Sequence, residues 1–418
     1  MPDPQPAPNR RTRPVRESAA MLAGTAISGL CAYAYIAIGT RAYGDEAMSP
    51  IAVLWTFWAI SVALFTFPIQ HWAIRKISID GHTRGVGATV PRLALVVVSV
   101  GAVMAVAAGV EGERVFGSDR VWWPVLVFLI TIGAGFVGLQ RGVLAGKGRY
   151  YAAAANIAAE NVLRVVLGLV VATTVDDVLA FAWVLALGPV VAVFWPEAVR
   201  LPFRTGVRQP VLGFLGGLAG GILIAQVILN AGPLVLQGLG AAESEVTGLF
   251  LALALFRAPY LLALGMATRL TAPLTGLVVS GATATVRRIV ALTSAGSVAL
   301  AAAAGVAGYY VGPWIIRVVF APETDPSATV VAFISVGSLL ALGGLGLILV
   351  LIAQHRSAAV QITWLAGLAA GAATLVLAPG DQIARVVTAF VTAEVVALAA
   401  MTATLLVRTP AAGPSAEA

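Results

Sequence analysis

Runs of about twenty apolar residues recur along this chain from end to end, parted by short segments that hold nearly all of its charge. At ~1.5 Å per residue, a helix of ~20 residues crosses a hydrocarbon core of ~30 Å. Inside lipid every backbone N–H and C=O must find a partner within the protein, so runs of this length fold as helices. Charged residues make up 11% of the 418 and hydrophobic ones 59%, whereas about a quarter of a soluble domain is charged. The chain reads as an all-α integral membrane protein. A soluble core is excluded.

We place about twelve transmembrane helices, at roughly 18–40, 50–73, 89–110, 121–141, 152–174, 178–199, 213–238, 247–269, 288–312, 328–353, 357–378 and 382–407. The loops between them sort by charge. With the N-terminus inside, the inside segments hold nineteen basic residues, from Arg10 and Arg11 through Arg75, Lys76, Arg141, Lys147, Arg149, Arg200, Arg287 and Arg288 to Arg408. The outside loops hold five, Arg41, Arg114, Arg120, Arg317 and Arg385, beside twelve acids such as Asp45, Glu46, Asp176, Asp177, Glu243 and Glu245. Basic residues gather on the cytoplasmic side of membrane proteins, so both termini are expected in the cytoplasm, as in a multi-pass protein of the inner membrane. The net charge of +7 is spread over alternate loops and forms no stripe that would bind nucleic acid.

The expected organisation is a basic, disordered cytoplasmic tail over 1–17, a six-helix bundle over 18–205, a second over 206–408 and a short cytoplasmic tail over 409–418. The first apolar run lacks a cleavage site and leads straight into further spans, so it reads as an uncleaved helix. Cys31, inside that span, is the single cysteine, and neither a disulfide nor a cysteine metal site follows. A faint repeat places glycine and acids in the first outside loop of each half, Gly44-Asp45-Glu46 and Gly240-Ala-Ala-Glu243. Six spans per half make such a repeat parallel, about an axis along the membrane normal.

Several motifs have a packing explanation. Gly133-Ala-Gly135-Phe-Val-Gly138 satisfies G-x-G-x-x-G, but a dinucleotide fold needs a preceding strand, and glycines in an apolar span let helices approach. Gly142 to Gly148 ends in Gly-Lys-Gly without the glycine spacing or the Ser/Thr of a P-loop. Gly216/Gly220, Gly217/Gly221 and Gly367/Gly371 have small-xxx-small spacing. His71, His82 and His355 are scattered, and no metal spacing or cofactor motif appears. Asp176-Asp177 reads as a solvated turn that starts a helix.

Polar residues inside the spans carry more information, because ionisable groups at membrane depth usually face a bundle interior or a wet cavity. Asn156, Glu160 and Arg164 are spaced four apart and stack on one helix face. Glu160 lies ~12 Å and Arg164 ~18 Å from the inside end of their span. They form either a self-neutralising pair that locks packing, or an arginine offered to an anionic substrate beside a glutamate that tunes it or carries a proton. Arg257 lies ~15 Å from the outside end of span eight, and no acid of its own span can pair with it. Gln226, Asn230, Pro233 and Gln237 make a polar stripe with a proline that frees carbonyls, a cavity wall or hinge. Glu394, alone among apolar and threonine neighbours, is either a proton carrier or a neutral structural group.

Gly39-Thr-Arg41-Ala-Tyr-Gly44-Asp-Glu-Ala-Met-Ser-Pro-Ile resembles the first outside loop of the polysaccharide-transporter (Wzx-type) flippases. Leu139-Gln-Arg141-Gly-Val-Leu-Ala-Gly-Lys-Gly-Arg149-Tyr150 resembles their fourth inside turn. Asn230-Ala-Gly-Pro, Arg257-Ala-Pro259, Ala272-Pro273-Leu274 and Gly312-Pro313-Trp314 are similar to their second half. The resemblance implies the fold of the multidrug/oligosaccharidyl-lipid/polysaccharide exporter superfamily, two six-helix bundles around a V-shaped cavity. It also implies a flippase that moves a lipid-linked pyrophosphate oligosaccharide by alternating access, with membrane lipids around it and the glycosyltransferases and polymerase of the pathway as partners. Many relatives carry an acid two positions after the span-seven asparagine, where this chain has Gly232. The two extra helices of lipid II flippases are absent.

On this reading Arg164 and Arg257, one from each half, face the cavity and hold the pyrophosphate by charge-assisted hydrogen bonds, as arginine does best. Gln226, Asn230 and Asn156 contact substrate, with Glu160 and Glu394 as proton or coupling groups. A cation-coupled drug antiporter of the same superfamily is the first alternative; it requires an acidic cavity, and here arginines match the acids. A major-facilitator transporter would carry G-x-x-x-D-R-x-G-R-R after span two, where this chain reads Ile79-Asp-Gly-His-Thr-Arg84-Gly. A membrane glycosyltransferase or polymer ligase requires a large outside loop. No catalytic residue, metal or cofactor is expected.

Overall fold

The computed structural model describes residues 13–118, 120–196, 200, 218–354 and 356–407. The boundary expected between the bundles at 205/206, residues 1–12 and 408–418 of the tails, Gly216, Gly217 and His355 lie outside them. Among the described residues every regular element is a helix.

The first apolar stretch, Ala19–Asp80, is 62 residues long, about three membrane thicknesses if straight, so it must fold back. It does so at Gly44, inside α1 (Arg13–Ser61), where φ is 79° and ψ 174°, a conformation that glycine adopts without steric cost. A π turn, Val62–Thr66, joins α1 to α2 (Phe67–Asp80). Then come α3 (Arg84–Val110), the short α4 (Gly112–Phe116), α5 (Trp122–Gly146), α6 (Tyr150–Thr174) and α7 (Val178–Leu187), which tightens into a 3₁₀ segment to Phe194. Asp177 starts α7 as expected, its carboxylate accepting from the Leu179 N–H at 3.0 Å.

Two later spans are broken. α8 (Leu218–Asn230) meets α9 (Gly232–Gly238) at 59°, and α10 (Glu243–Phe256) meets α11 (Ala258–Val279) at 46°. Pro233 and Pro259 stand in the first turn after each break, where a missing N–H is harmless to the new helix but ends the old one. α12 (Thr283–Tyr310), α13 (Gly312–Phe320), α14 (Ala328–Ala353), α15 (Ser357–Leu377) and α16 (Gln382–Val407) follow. Among the described residues eight helices are long and apolar enough to cross a membrane, ten counting each bent pair as one. The fold at Gly44 makes the first a double crossing, and the shorter apolar Val178–Phe194 brings the total to about twelve.

The core is shared at one end only. Near Gly44 one apolar cluster joins Tyr35, Ile51, Trp55 and Phe181 of the first spans to Phe250, Leu253, Phe320 and Ile334 of the later ones. At the other end, where the first and last helices begin and finish, the clusters separate. Phe65, Ile69, Trp72 and Val143 pack among α2, α3 and α5, while Val286, Leu347, Trp364 and Met401 pack among the later helices. The hydrogen bonds between early and late spans follow the same rule. Tyr33 donates to the Ala254 carbonyl at 2.7 Å, Thr56 to that of Asn230 at 3.1 Å, Ser49 to Gln237 at 3.0 Å and Thr247 to the Asp45 carbonyl at 2.7 Å.

Two short helices close that end in matching ways. α4 ends Arg114-Val-Phe116 and α13 ends Arg317-Val-Val-Phe320; both phenylalanines are buried and both are followed by a left-handed residue, Gly117 and Ala321. Arg114 donates to the Gly238 carbonyl across the molecule at 2.9 Å, and after α13 the Thr324 N–H donates to the Asp45 carboxylate at 2.7 Å. Exposed Trp122, Tyr309, Tyr310 and Trp314 ring the same end, where aromatic belts meet the membrane interface.

Candidate functional site

α5 extends farther than its sequence suggested. Its glycines let it lie against α2 and the π turn; a Cβ on Gly138 would stand 2.6 Å from the Thr66 carbonyl oxygen, and one on Gly142 2.9 Å from that of Gln70. The chain turns only at Lys147-Gly148, where Gly148 has φ 72°. Arg141, expected in the inside loop, is therefore a residue of the helix, 13% exposed at its side chain. The loop asymmetry loses one arginine and the interior gains one.

That arginine completes a cluster. Arg141 Nε donates to Asn156 Oδ1 at 3.0 Å, and its Nη2 forms a short contact with Glu160 Oε2. Arg164 Nη2 donates to the other oxygen, Glu160 Oε1, at 2.6 Å, and its Nη1 to Asn161 Oδ1 at 3.0 Å. Glu160 thus bridges two guanidinia. Trp58 covers Arg164, its ring centroid 5.2 Å from the guanidinium carbon, a cation–π arrangement. Gly188 backs the same group so closely that a Cβ there would lie 2.6 Å from Arg164 Nε. Asn161 is anchored in turn by Ser28 of α1, at 2.7 Å. The expected Glu160–Arg164 pair is present, and Asn156 joins it through Arg141. Arg164 is 1% exposed, so in this conformation it is walled in and lines no open cavity.

The second cluster gathers at the two helix breaks. Asn230 ends α8, and Arg257 is the hinge residue between α10 and α11. Arg257 Nη1 donates to Asn230 Oδ1 in a short contact, and Asn230 Nδ2 donates to the Gln226 carbonyl at 2.7 Å and to its Oε1 at 3.2 Å. Gln226 Nε2 reaches the Tyr260 hydroxyl at 2.8 Å. Three of the residues singled out in the sequence, Gln226, Asn230 and Arg257, therefore form one network, all buried. Glu394 on α16 is buried within electrostatic reach of Tyr260, and its Oε1 has no hydrogen-bond partner. Gln237 stands apart, sealing the Gly44 end with Ser49.

Span two separates the clusters: Thr56 touches the Asn230 carbonyl and Trp58, two residues on, covers Arg164. Sequence reasoning missed Arg141, Trp58, Asn161 and Tyr260. Tyr260 follows Arg257 at helical spacing, and Arg141 lies inside an apolar stretch that continues to Gly146; both signals were legible. At the Gly44 end, burial and the neighbouring Glu46 raise the Glu243 carboxyl above the ordinary range. Among the described residues no cluster could hold a metal ion.

The fold matches that of solved MATE multidrug transporters and of the lipid II flippase MurJ. An inward-facing multidrug resistance MATE family transporter of the MOP superfamily superposes with a TM-score of 0.69 at 12% identity, over 94% of this chain and 100% of the other. An outward-facing one gives 0.58 at 14%, over 95% of each chain. The lipid II flippase MurJ in an inward closed conformation gives 0.58 at 12%, over 94% of this chain and 88% of the other. In sequence, the chain is 28% identical over 399 residues to uncharacterised proteins of Mycobacterium bovis and Mycobacterium tuberculosis, covering 90% of this chain and 88% of each relative. No protein-family model matches it.

Proposed function

We propose that the protein is a flippase that moves a lipid-linked pyrophosphate oligosaccharide across the cytoplasmic membrane by alternating access. The observation that carries this reading is the buried guanidinium of Arg257, held by Asn230 where two broken spans meet. Broken helices at mid-membrane are where transporters of this general design bind substrate, and a guanidinium matches a phosphate in a bidentate way that a lysine does not. At membrane depth, among the described residues, Arg141, Arg164 and Arg257 outnumber Glu160 and Glu394. That balance suits an anionic head group and disfavours the drug-type antiporter.

On this reading both termini are cytoplasmic, so the structure is closed at the outer, Gly44 end and divided at the inner one. Loading the head group draws Arg257 from Asn230 and Arg164 from Glu160, and Gln226 and Asn230 contact sugar. The lipid tail stays in the bilayer, and the glycosyltransferases and polymerase of the pathway act before and after. The test is translocation of a lipid-pyrophosphate oligosaccharide in proteoliposomes, scored by accessibility of the sugar to an outside reagent. Wild type is expected to move it, and Arg257→Ala, at matched insertion, to lose it. Absence of movement with such lipids, together with pH-driven efflux of small cations, would replace the flippase with the antiporter.

A further inference from the structure

Among the described residues the cluster on α5 and α6 is electrically incomplete. Arg141 and Arg164 bring two positive charges, and Glu160 is the acid within electrostatic reach of Arg141. A guanidinium does not give up its proton in a protein, so the unmatched charge cannot be removed by titration of either arginine. Protonating Glu160 would enlarge it. Among the described residues no second acid acts on Arg141, which leaves solvent or an imported anion to compensate, and solvent has little access, since Arg164 is 1% exposed and the Arg141 side chain 13%. Two donors here also lack acceptors: Asn156 Nδ2 and Arg164 Nε are buried without a hydrogen-bond partner. Gly188 fills the space beside Arg164 Nε, and Arg141 is the more exposed of the two guanidinia, at 13% against 1%, so an anion would enter from the Arg141 side. That side faces the end at which the two halves' cores are separate.

We propose that Arg141 and Asn156 hold a small monovalent inorganic anion of the halide class, chloride being the probe, as the resident counter-charge of the Arg141–Glu160–Arg164 cluster. One negative charge neutralises the set, Arg141 supplies the accessible guanidinium, and Asn156 supplies a donor already oriented by the bond its Oδ1 accepts from Arg141. This inference stands on charge and geometry and does not rest on the flippase reading.

The test uses the full chain purified in a non-ionic detergent and exchanged into sodium gluconate. Chloride is then titrated at constant ionic strength, with thermal unfolding and retention of radiolabelled chloride as the readouts. Wild type is expected to retain label saturably and to gain about 5 °C in its unfolding midpoint at saturation. Arg141→Gln leaves a neutral Glu160–Arg164 pair and is expected to lose both effects; Arg141→Lys, which keeps the charge, is expected to retain label more weakly. Glu160→Gln, with a larger surplus, is expected to retain label more tightly. Should Arg141→Gln fail to fold, wild-type retention decides. No saturable label on wild type, unchanged retention by Arg141→Gln, an equal stabilisation by sulfate, or stabilisation by anionic phospholipid in place of chloride would each overturn the proposal.

Discussion

Replacing Glu160 with glutamine keeps the shape of the side chain and removes the one charge that faces two guanidinia. In the wild type its two oxygens serve different arginines, Oε1 accepting from Arg164 at 2.6 Å and Oε2 from Arg141. Taking one partner from a buried ion pair typically costs ~3–5 kcal/mol, most of it from the uncompensated charge left behind. Arg164, 1% exposed, carries the full penalty, while Arg141 at 13% recovers part of it from solvent. About 3 kcal/mol is therefore expected for Glu160→Gln. Arg141→Gln leaves a neutral pair and forfeits charge-assisted hydrogen bonds with a partial electrostatic gain, so about 1 kcal/mol is expected. Denaturant titration in detergent micelles, followed by tryptophan fluorescence, measures both. The order of the two variants is the test. If Arg141→Gln destabilises as much as Glu160→Gln, or if Glu160→Gln lies within ~1 kcal/mol of wild type, the reasoning about the bridging carboxylate is wrong.

Three further expectations concern other parts of the molecule. Gly188→Ala would place a Cβ 2.6 Å from Arg164 Nε; overpacking of this kind costs ~1–3 kcal/mol, and unfolding should reveal it along with altered Trp58 fluorescence. Asn230→Ala removes the acceptor that Arg257 uses and the donor to Gln226; a loss of ~1–3 kcal/mol in unfolding free energy is expected from the stranded guanidinium. The raised Glu243 pKa means the closed Gly44 end binds a proton more readily than a hydrated carboxyl would. The closed form is thus favoured at pH below the ordinary carboxylate value and loses that advantage as pH rises through the raised value. Distance measurements across that end should show it loosening over this window, and Glu243→Gln, which no longer titrates beside Glu46, should flatten the response.

What was legible in the sequence followed from long-range physical demands. The apolar runs announced the spans, Pro233 announced the break in span seven, and the glycine-rich spans announced close helix packing. The four-residue spacing of Asn156, Glu160 and Arg164 placed them on one face before any coordinates did. What escaped depended on local geometry. Arg141 looked like a loop residue because a basic side chain near the end of a hydrophobic run usually is one. The close packing of Gly138 and Gly142 against α2 carries the helix past it. The Arg-Val-Phe end of α4 and the Arg-Val-Val-Phe end of α13 are too short to stand out by periodicity. Their correspondence becomes evident only when each is seen reaching across the molecule. The walling of Arg164 by Gly188 and Trp58 joins residues distant in sequence, and no spacing rule reports it.

The central claim is that a head group crosses by alternate opening of the two ends, so closure of the Gly44 end must be reversible. In a Cys31→Ser background, Ser49→Cys and Gln237→Cys place a thiol on each side of that end, where the native side chains are 3.0 Å apart. Translocation of a lipid-pyrophosphate oligosaccharide in proteoliposomes should stop when a short bis-methanethiosulfonate reagent bridges this pair, since a direct disulfide demands a closer backbone approach, and resume on reduction. Undiminished translocation by the fully cross-linked chain would contradict the account.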